Sequence, residues 1–577
     1  MFKKANQVFS EEQIDHKPLL LWPGVVALIL QWLVKFGIPL VVPAAIGIGI
    51  FGGLFFGLVI IVWWAFFSRA PRKERWGAIV LMAIAMFVTS LLLDESIATA
   101  QMGLTYFIYS IPFLCLAFVT WAVVSRRFNT QIRRITMAVT IIIACGAWTL
   151  LRTKGMTSDI GHEFAWRWEK TTEDRLLAQE GSEASALTSD LTLVENGPLW
   201  PGFRGSQRDG IVHNMRIETD WSVSPPVELW RRPVGPGWSS FAVHGELLFT
   251  QEQRGDEEVV SCYNVSSGKP VWKHSDSARF SGAAAHPGPR ATPALKDQRI
   301  YSLGATGFLN ALNMQDGSVV WSRNTVADAK EKVPVWGFAS SPLVVHNMVI
   351  VHVAKTLSAY DLSTGDPIWF GMVGTGYSSP HLFTIDGIEQ VLLQSSTGVT
   401  SFNPADGVVL WEYQWPDEDR ILQPAIIAER DILLSSILNE LRRITITHDT
   451  DGWSIEEKWT SARMKSNFND FVIHKGHAYG FDGTKLVCID LGDGNRKWKG
   501  GRYGGQLILL ADQDLLLVLS EKGELSLIDA NPEKMTELES LQVIKGKTWN
   551  HPVLVGNILL VRNSVEMAAY QLTSGDG

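Results

Sequence analysis

The chain has 577 residues, 46% hydrophobic and 19% charged, which is less charge than the roughly 25% of an ordinary soluble domain. Residues 1–150 carry 12 Lys/Arg against 6 Asp/Glu, a net +6, and residues 151–577 carry 39 against 53, a net −14. The larger, acidic part excludes phosphate-driven binding of nucleic acid as the main role. The 4 cysteines, none adjacent to another and none in a CxxCH arrangement, exclude a disulfide scaffold, a Cys-rich zinc module and an attached c-type haem.

Five uncharged runs open the chain: Pro18–Val34, Phe36–Ser68, Trp76–Leu93, Ser96–Ser125 and Ile135–Leu151. A membrane-spanning helix needs roughly 17–25 mostly apolar residues, whereas the apolar stretch of a cleavable signal is single and short. We therefore read residues 1–18 as a cytoplasmic tail and residues 19–151 as five transmembrane helices, near 19–39, 45–67, 76–93, 103–125 and 134–151. Arg69, Arg72, Lys73 and Arg75 follow the second run, and Arg126, Arg127, Arg133 and Arg134 follow the fourth. Loops rich in Lys and Arg stay on the cytoplasmic side. The N-terminus is then inside, and five crossings carry everything after Arg152 to the far side. No Asp or Glu, and at most Lys35 among Lys and Arg, falls within the apolar part of a span. That argues against an ion pump or proton relay, which needs intramembrane ionisable groups.

Residues 152–197 form a polar, acidic linker, with a short helix expected to start near Thr171 or Thr172. The WRW at 166–168 suits either the membrane surface or a docking position on the next domain, and both readings stand.

Beyond residue 198 one phrase recurs: small residue, any residue, Asp or Asn, a short gap, Gly, three residues, Trp. It reads CYNVSSGKPVW at 262–272, ALNMQDGSVVW at 311–321, AYDLSTGDPIW at 359–369, SFNPADGVVLW at 401–411 and CIDLGDGNRKW at 488–498. Degenerate copies lie at 441–459 and 527–538, and AYQLTSG at 569–575 has no following Trp, so the strand ending at Trp230 is expected to complete it. The outer-strand positions are then Trp230, Trp272, Trp321, Trp369, Trp411, Trp459, Trp498 and Leu538, spaced 39 to 49 residues apart. A second register agrees: a polar residue followed by Pro or Phe opens an apolar strand at Ser240, Thr292, Ser341, Ser379, Gln423, Asp470 and His551. A lone four-stranded sheet cannot bury both faces, but eight arranged radially can, so the period predicts an eight-bladed β-propeller over residues 198–577. The tryptophans are expected to be structural wedges between blades. Cys262 and Cys488 occupy the small-residue slot of two distant blades and are expected to be free and buried.

These residues carry a resemblance. The repeat phrase resembles that of pyrroloquinoline-quinone (PQQ)-like propellers, a group that includes quinoprotein alcohol and glucose dehydrogenases and the lipoprotein propeller of the outer-membrane barrel assembly machinery. The opening motif WPGFRGSQRDG at 200–210, together with WGFASSPLV at 336–344, is similar to PQQ-like propeller proteins of planctomycete-type bacteria. The resemblance covers about residues 198–577; with the five helices before it, the expected architecture is a multi-pass α-helical membrane domain followed by an all-β eight-bladed propeller, the helices in the cell inner membrane and the propeller in the periplasm.

Two functions compete. One is a non-catalytic binding or scaffold module with a periplasmic or envelope protein as partner and the lipid bilayer as anchor. The alternative is a membrane quinoprotein dehydrogenase that uses PQQ with Ca²⁺ and passes electrons to quinone. The first is favoured, with no catalytic residue, no metal site and no cofactor expected. There is no adjacent Cys pair, the loops are short, and no acid/amide cluster suits a cation. Asp470 beside Asn467 and Asn469 comes nearest and reads as a turn at a strand start. The working surface is expected at the funnel where inner strands begin, ringed by Trp238, Arg290, Trp336, Tyr377, Gln423, Trp549 and His551. Aromatics with Arg are typical of protein interfaces.

Overall fold

The computed structural model describes residues 19–42, 45–156, 161–183, 199–281, 287–417, 420–436, 440–466 and 468–575. They form two compact units, divided between Glu169 and Lys170. The tail at 1–18 and Asn467 lie outside the described residues.

In the first unit five long helices occupy the expected places. Four of them, Trp22–Val41, Ile46–Phe67, Thr105–Arg127 and Thr130–Leu150, are long and apolar enough to cross a membrane. The helix third in order, Arg72–Ser90, starts earlier than its apolar run. Pro71 sets its first turn, and that turn carries Arg72, Lys73, Glu74 and Arg75, which the sequence reading left in a loop. Glu74 is buried because Arg133 (2.7 Å) and Arg134 (3.5 Å), at the start of the last helix, pair with it. The first two helices pack through Gly49, Gly53 and Gly57, spaced four apart on one buried face. Each of these two helices also widens into a π-turn, at Leu33–Gly37 and Trp63–Phe67. The first π-turn lies just before Pro39, whose ring would otherwise meet the carbonyl four residues back.

The segment after the last helix is more ordered than a tether. Leu151–Met156 and His162–Trp166 pair as an antiparallel hairpin, with Thr153 opposite Phe164. The hairpin packs on the bundle through Phe164, 5.2 Å from Tyr109 and 5.5 Å from Trp148 between ring centroids. Trp166 and Trp168 stack on each other at 5.0 Å and are exposed.

The second unit opens with the helix Thr172–Glu183. Thr171 and Asp174 cap it reciprocally: each backbone N–H donates to the other's side chain, at 2.7 and 2.8 Å. Glu173 ties this helix to the blade that follows, accepting from the Gly255 N–H (2.8 Å) and pairing with Arg279 (2.8 Å).

Eight antiparallel sheets follow. Blade one is Ala242–His244, Leu247–Arg254, Glu257–Asn264 and Pro270–Asp276. Blades two to six begin at Ala294, Leu343, His381, Ala425 and Val472, and blade seven at Gln506. Blade eight is Val553–Val555, Ile558–Arg562 and Glu566–Gln571, and its outer strand is Val227–Pro233 from the front of the domain, with Trp230 opposite Ala569. The expected closure is therefore present, and it leaves the sheet without a free end in the ring.

The repeat phrase has a single physical origin. Each phrase glycine turns at positive φ, and a Cβ there would lie within 2.4–2.7 Å of the preceding blade's tryptophan: Gly268 on Trp230, Gly317 on Trp272, Gly365 on Trp321, Gly407 on Trp369 and Gly494 on Trp459. The indole N–H then donates into the same neighbouring blade, from Trp230 to Val265 O (2.7 Å), Trp272 to Met314 O (3.0 Å), Trp321 to Leu362 O (3.1 Å) and Trp369 to Pro404 O (2.9 Å). Trp459 and Trp498 do the same with Leu491 O and Asn531 O, both at 2.8 Å. Trp411 differs and donates to Gln390 of its own blade (2.6 Å), because the hairpin of blade five is longer and its Gly452 turns away from any tryptophan.

Blade seven corrects one position. In every other blade a bulge follows the pair that contains the tryptophan, as in Ala311 opposite Trp321 and Leu312 opposite Val319. In blade seven Leu527 pairs with Glu539 and Ile528 with Glu537, so Glu539 takes the tryptophan's place and Leu538 sits exposed in the bulge. All four cysteines are free and buried.

Candidate functional site

The axis of the ring is filled by the chain's own opening motif. Residues 199–212 enter beside blade one, where Trp200 pairs with Val243, and leave beside blade seven, where Ile211 runs parallel to Leu509. Between these points the segment meets every other blade. Pro201 O accepts from Leu295 N of blade two (2.7 Å), and Phe203 meets His551, at the start of blade eight, edge-on at 5.1 Å. Arg208 donates to Pro342 O (2.9 Å) and Ser341 O (3.1 Å) at blade three, and His381 of blade four faces Gln207 O at 3.1 Å. Gln423, at the start of blade five, donates to Arg208 O, and Arg204 binds Asp470 (3.2 Å) and Phe471 O (2.5 Å) at blade six. Positive φ at Arg204, Gly205, Arg208 and Gly210 folds the segment tightly enough to reverse inside the ring.

Electrostatics match this packing. Burial alone would raise the Asp470 carboxyl, but the Arg204 guanidinium and the His551 ring, 2.7 Å away, outweigh it and hold Asp470 below the usual carboxylate range. Burial lowers Arg208 to about 9, with Arg204 adding to the effect. Burial also lowers His381 to about 4, so its ring is neutral and donates to only one of the two carbonyls it faces, Gln207 O and Pro424 O.

The seven expected funnel residues divide accordingly. Gln423 and His551 face the axial segment and are not open rim positions. Trp238 and Trp549 meet at 4.9 Å across the seam between blades one and eight. Phe468 joins them at 4.5 Å from Trp549, and the Lys547 ammonium lies 3.7 Å above Trp549 and 5.3 Å from Trp238. Glu521 accepts from the Trp549 indole (2.8 Å). Arg290 stacks on Phe280 at 4.3 Å and is close enough to Tyr377 to interact electrostatically. Trp336 is 37% exposed. Phe468, Lys547 and Glu521 escaped the sequence reading because they lie outside the aligned register, in loops of irregular length.

A quinone held with a divalent cation does not fit these residues. Among the described residues no three His, Cys, Asp or Glu side chains come together. Asp470 is committed to Arg204 and His551, and the axis is occupied by residues 199–212.

The chain is an eight-bladed β-propeller, five of whose blade junctions are locked by a glycine turn against the preceding blade's tryptophan. The family profile described as outer membrane protein assembly factor BamB matches residues 221–369 and 255–500. A curated protein of that description from Shewanella oneidensis is 22% identical over 329 residues, covering 52% of this chain and 76% of the relative. Among solved structures, BamB from Moraxella catarrhalis superposes with a TM-score of 0.46 at 14% identity, over 61% of this chain and 99% of that one. The quinohemoprotein alcohol dehydrogenase from Comamonas testosteroni gives 0.49 at 13% identity, over 70% and 85%.

Proposed function

We propose that the protein is a membrane-anchored scaffold. Its helices span the inner membrane with the N-terminus in the cytoplasm, and its propeller binds an envelope protein in the periplasm. The observation that carries this reading is the cluster of Trp238, Trp549 and Phe468 around Lys547, at the end of a ring whose axis is already filled. Indole faces stacked around a cation give rigid, amphipathic area, the chemistry of interface anchors. Arg290, Trp336 and Tyr377 lie in the loops before the inner strands of blades two, three and four. The likeness to a curated outer-membrane assembly factor supports a protein partner rather than a small substrate. Five crossings are supported by the third helix, tied at one end through Glu74 to Arg133, while Asp94 just beyond its other end pairs with Arg167 after the hairpin (3.2 Å).

The test is co-purification from membranes. Trp238→Ala with Trp549→Ala, and separately Trp336→Ala with Tyr377→Ala, should leave the chain folded and remove an envelope protein that the wild type retains. Addition of PQQ and Ca²⁺ should give no quinone absorbance and no alcohol or sugar oxidation. An unchanged set of co-purifying proteins in both double variants, or PQQ-dependent turnover, overturns the reading.

A further inference from the structure

Four tryptophans of the helical unit are exposed, and they fall into two pairs. Trp22 and Trp76 stand at the starts of the first and third helices. Both starts lie at the end of the second helix, where the Leu20 N–H donates to Ser68 O (3.2 Å) and Trp76 meets Phe66 edge-on at 6.2 Å. Trp166 and Trp168 belong to the opposite end, because Arg167 between them pairs with Asp94, beyond the other end of the third helix (3.2 Å). The fifth helix has a tryptophan of its own near that end, but Trp148 is turned into the bundle, against Tyr106, Phe113 and Phe164.

The hairpin brings its tryptophans back to the height at which the last apolar helix stops. That helix ends at Leu150. Trp166 pairs with Leu151, and the Arg167 N–H donates to Leu150 O (2.9 Å). A turn closed by the Glu169 N–H on Trp166 O (3.1 Å) folds Trp168 back over Trp166, with the rings stacked at 5.0 Å and 12°. Trp166 is 51% and Trp168 66% exposed, and Leu150 beside them is exposed as well. The charges around the pair are committed locally: Arg167 to Asp94, Lys154 to Glu169 (4.0 Å), and Arg152 to Glu169 O (2.7 Å).

We propose that Trp166 and Trp168 are an interfacial membrane anchor, seated in the headgroup region of the far leaflet. An indole has an apolar body and one N–H donor, and tryptophans collect at both faces of a bilayer for that reason. The height of the pair, level with the end of a span and opposite Trp22 and Trp76, selects lipid over a soluble partner. The committed charges make zwitterionic headgroups sufficient. The chain therefore leaves the bilayer surface after Trp168, not where the last helix ends. The proposal rests on the membrane placement in the scaffold reading and not on its protein partner.

The native cysteines are all buried, so one introduced cysteine in the full chain can carry a nitroxide. Trp168→Cys and, separately, Trp166→Cys are labelled in phosphatidylcholine nanodiscs. Ile142→Cys on the fifth helix and Glu456→Cys on the propeller, both at exposed positions, serve as depth references. Power saturation reads collisions of the label with oxygen, which concentrates in hydrocarbon, and with a water-soluble nickel chelate. Both hairpin labels should give an oxygen-to-nickel ratio between those of positions 142 and 456, unchanged when phosphatidylglycerol is added. A ratio equal to that at 456 overturns the proposal. So does shielding from both reagents, which marks docking on protein, or a ratio that rises to the intermediate value only with phosphatidylglycerol. Position 142 separates the two readings. If its label also reads water, the bilayer placement falls and the anchor with it; if it reads hydrocarbon while 166 and 168 read water, the anchor alone falls.

Discussion

The propeller and the helical unit encode their structures differently. In the propeller, position is written locally and repeated. A glycine four residues before a tryptophan sets a turn, and the turn receives the preceding blade's indole. In the helical unit, apolar composition fixes where helices run, while their partners are set by isolated residues such as Glu74, Gly53 and Lys35. Repetition makes the propeller robust to one degenerate copy, as Glu539 in blade seven demonstrates. The helical unit has no such redundancy, so a single charged first turn decides how many times the chain crosses.

That contrast gives the largest expected effect. The third helix carries four charged residues in its first turn, and the other four long helices meet the criteria for a span. With five crossings, a reporter fused after Gly197 is active only on the exported side and one fused at the N-terminus only in the cytoplasm. Activity of both fusions on one side would reduce the count to four.

Next in size is the axial segment. Arg204→Ala leaves Asp470 buried beside His551 alone, and breaking such a pair costs roughly 3–5 kcal/mol, measured by denaturant unfolding of the propeller. Removing the strand at Trp230 should open the ring and produce aggregation, read by light scattering. Gly317→Ala forces a Cβ into Trp272 at positive φ, at a cost of roughly 2–4 kcal/mol. Leu538→Ala, in the exposed bulge of blade seven, should change stability by no more than about 0.5 kcal/mol.

Acid sharpens the comparison, because the propeller buries carboxylates that its neighbours keep ionised. Glu252 is pushed up by burial but held down by Arg254 (2.9 Å), Ser261 and the Gly235 N–H, to about 2. Asp470 is likewise depressed. Groups whose folded pKa lies below the unfolded value, about 4 for these acids, stabilise fully above that value and lose the contribution as pH falls through the folded one. Thermal stability of the propeller should therefore drop as pH is lowered from about 4 toward 2.

Blade number, closure and the tryptophan wedges were legible in the sequence because each depends on residues at fixed spacing. Leu538 was misplaced by one residue because the turn after Asp529 has neither the Gly nor the Trp that fixes the spacing in the other copies. The motif at 200–210 was visible as a motif, but its place on the axis was not: Arg204 meets Asp470 across 266 residues, and no periodicity connects them. The hairpin at 151–166 was hidden for the same reason, since Phe164 finds its support on Tyr109 and Trp148. Of the seven funnel residues, the register located all seven at strand starts or the loops before them. It could not reveal that Gln423 and His551 turn inward to the axial segment.

Site-specific photo-crosslinking in living cells tests the scaffold reading most directly. A photo-reactive residue replaces Lys547, between Trp238 and Trp549, and in a parallel strain replaces Glu456 on the outer strand of blade five. The account predicts one abundant adduct with an envelope protein from position 547, lost when Trp238 and Trp549 are both alanine, and none from position 456. Identical adducts from the two positions, or an adduct at 547 that survives loss of both tryptophans, would contradict it.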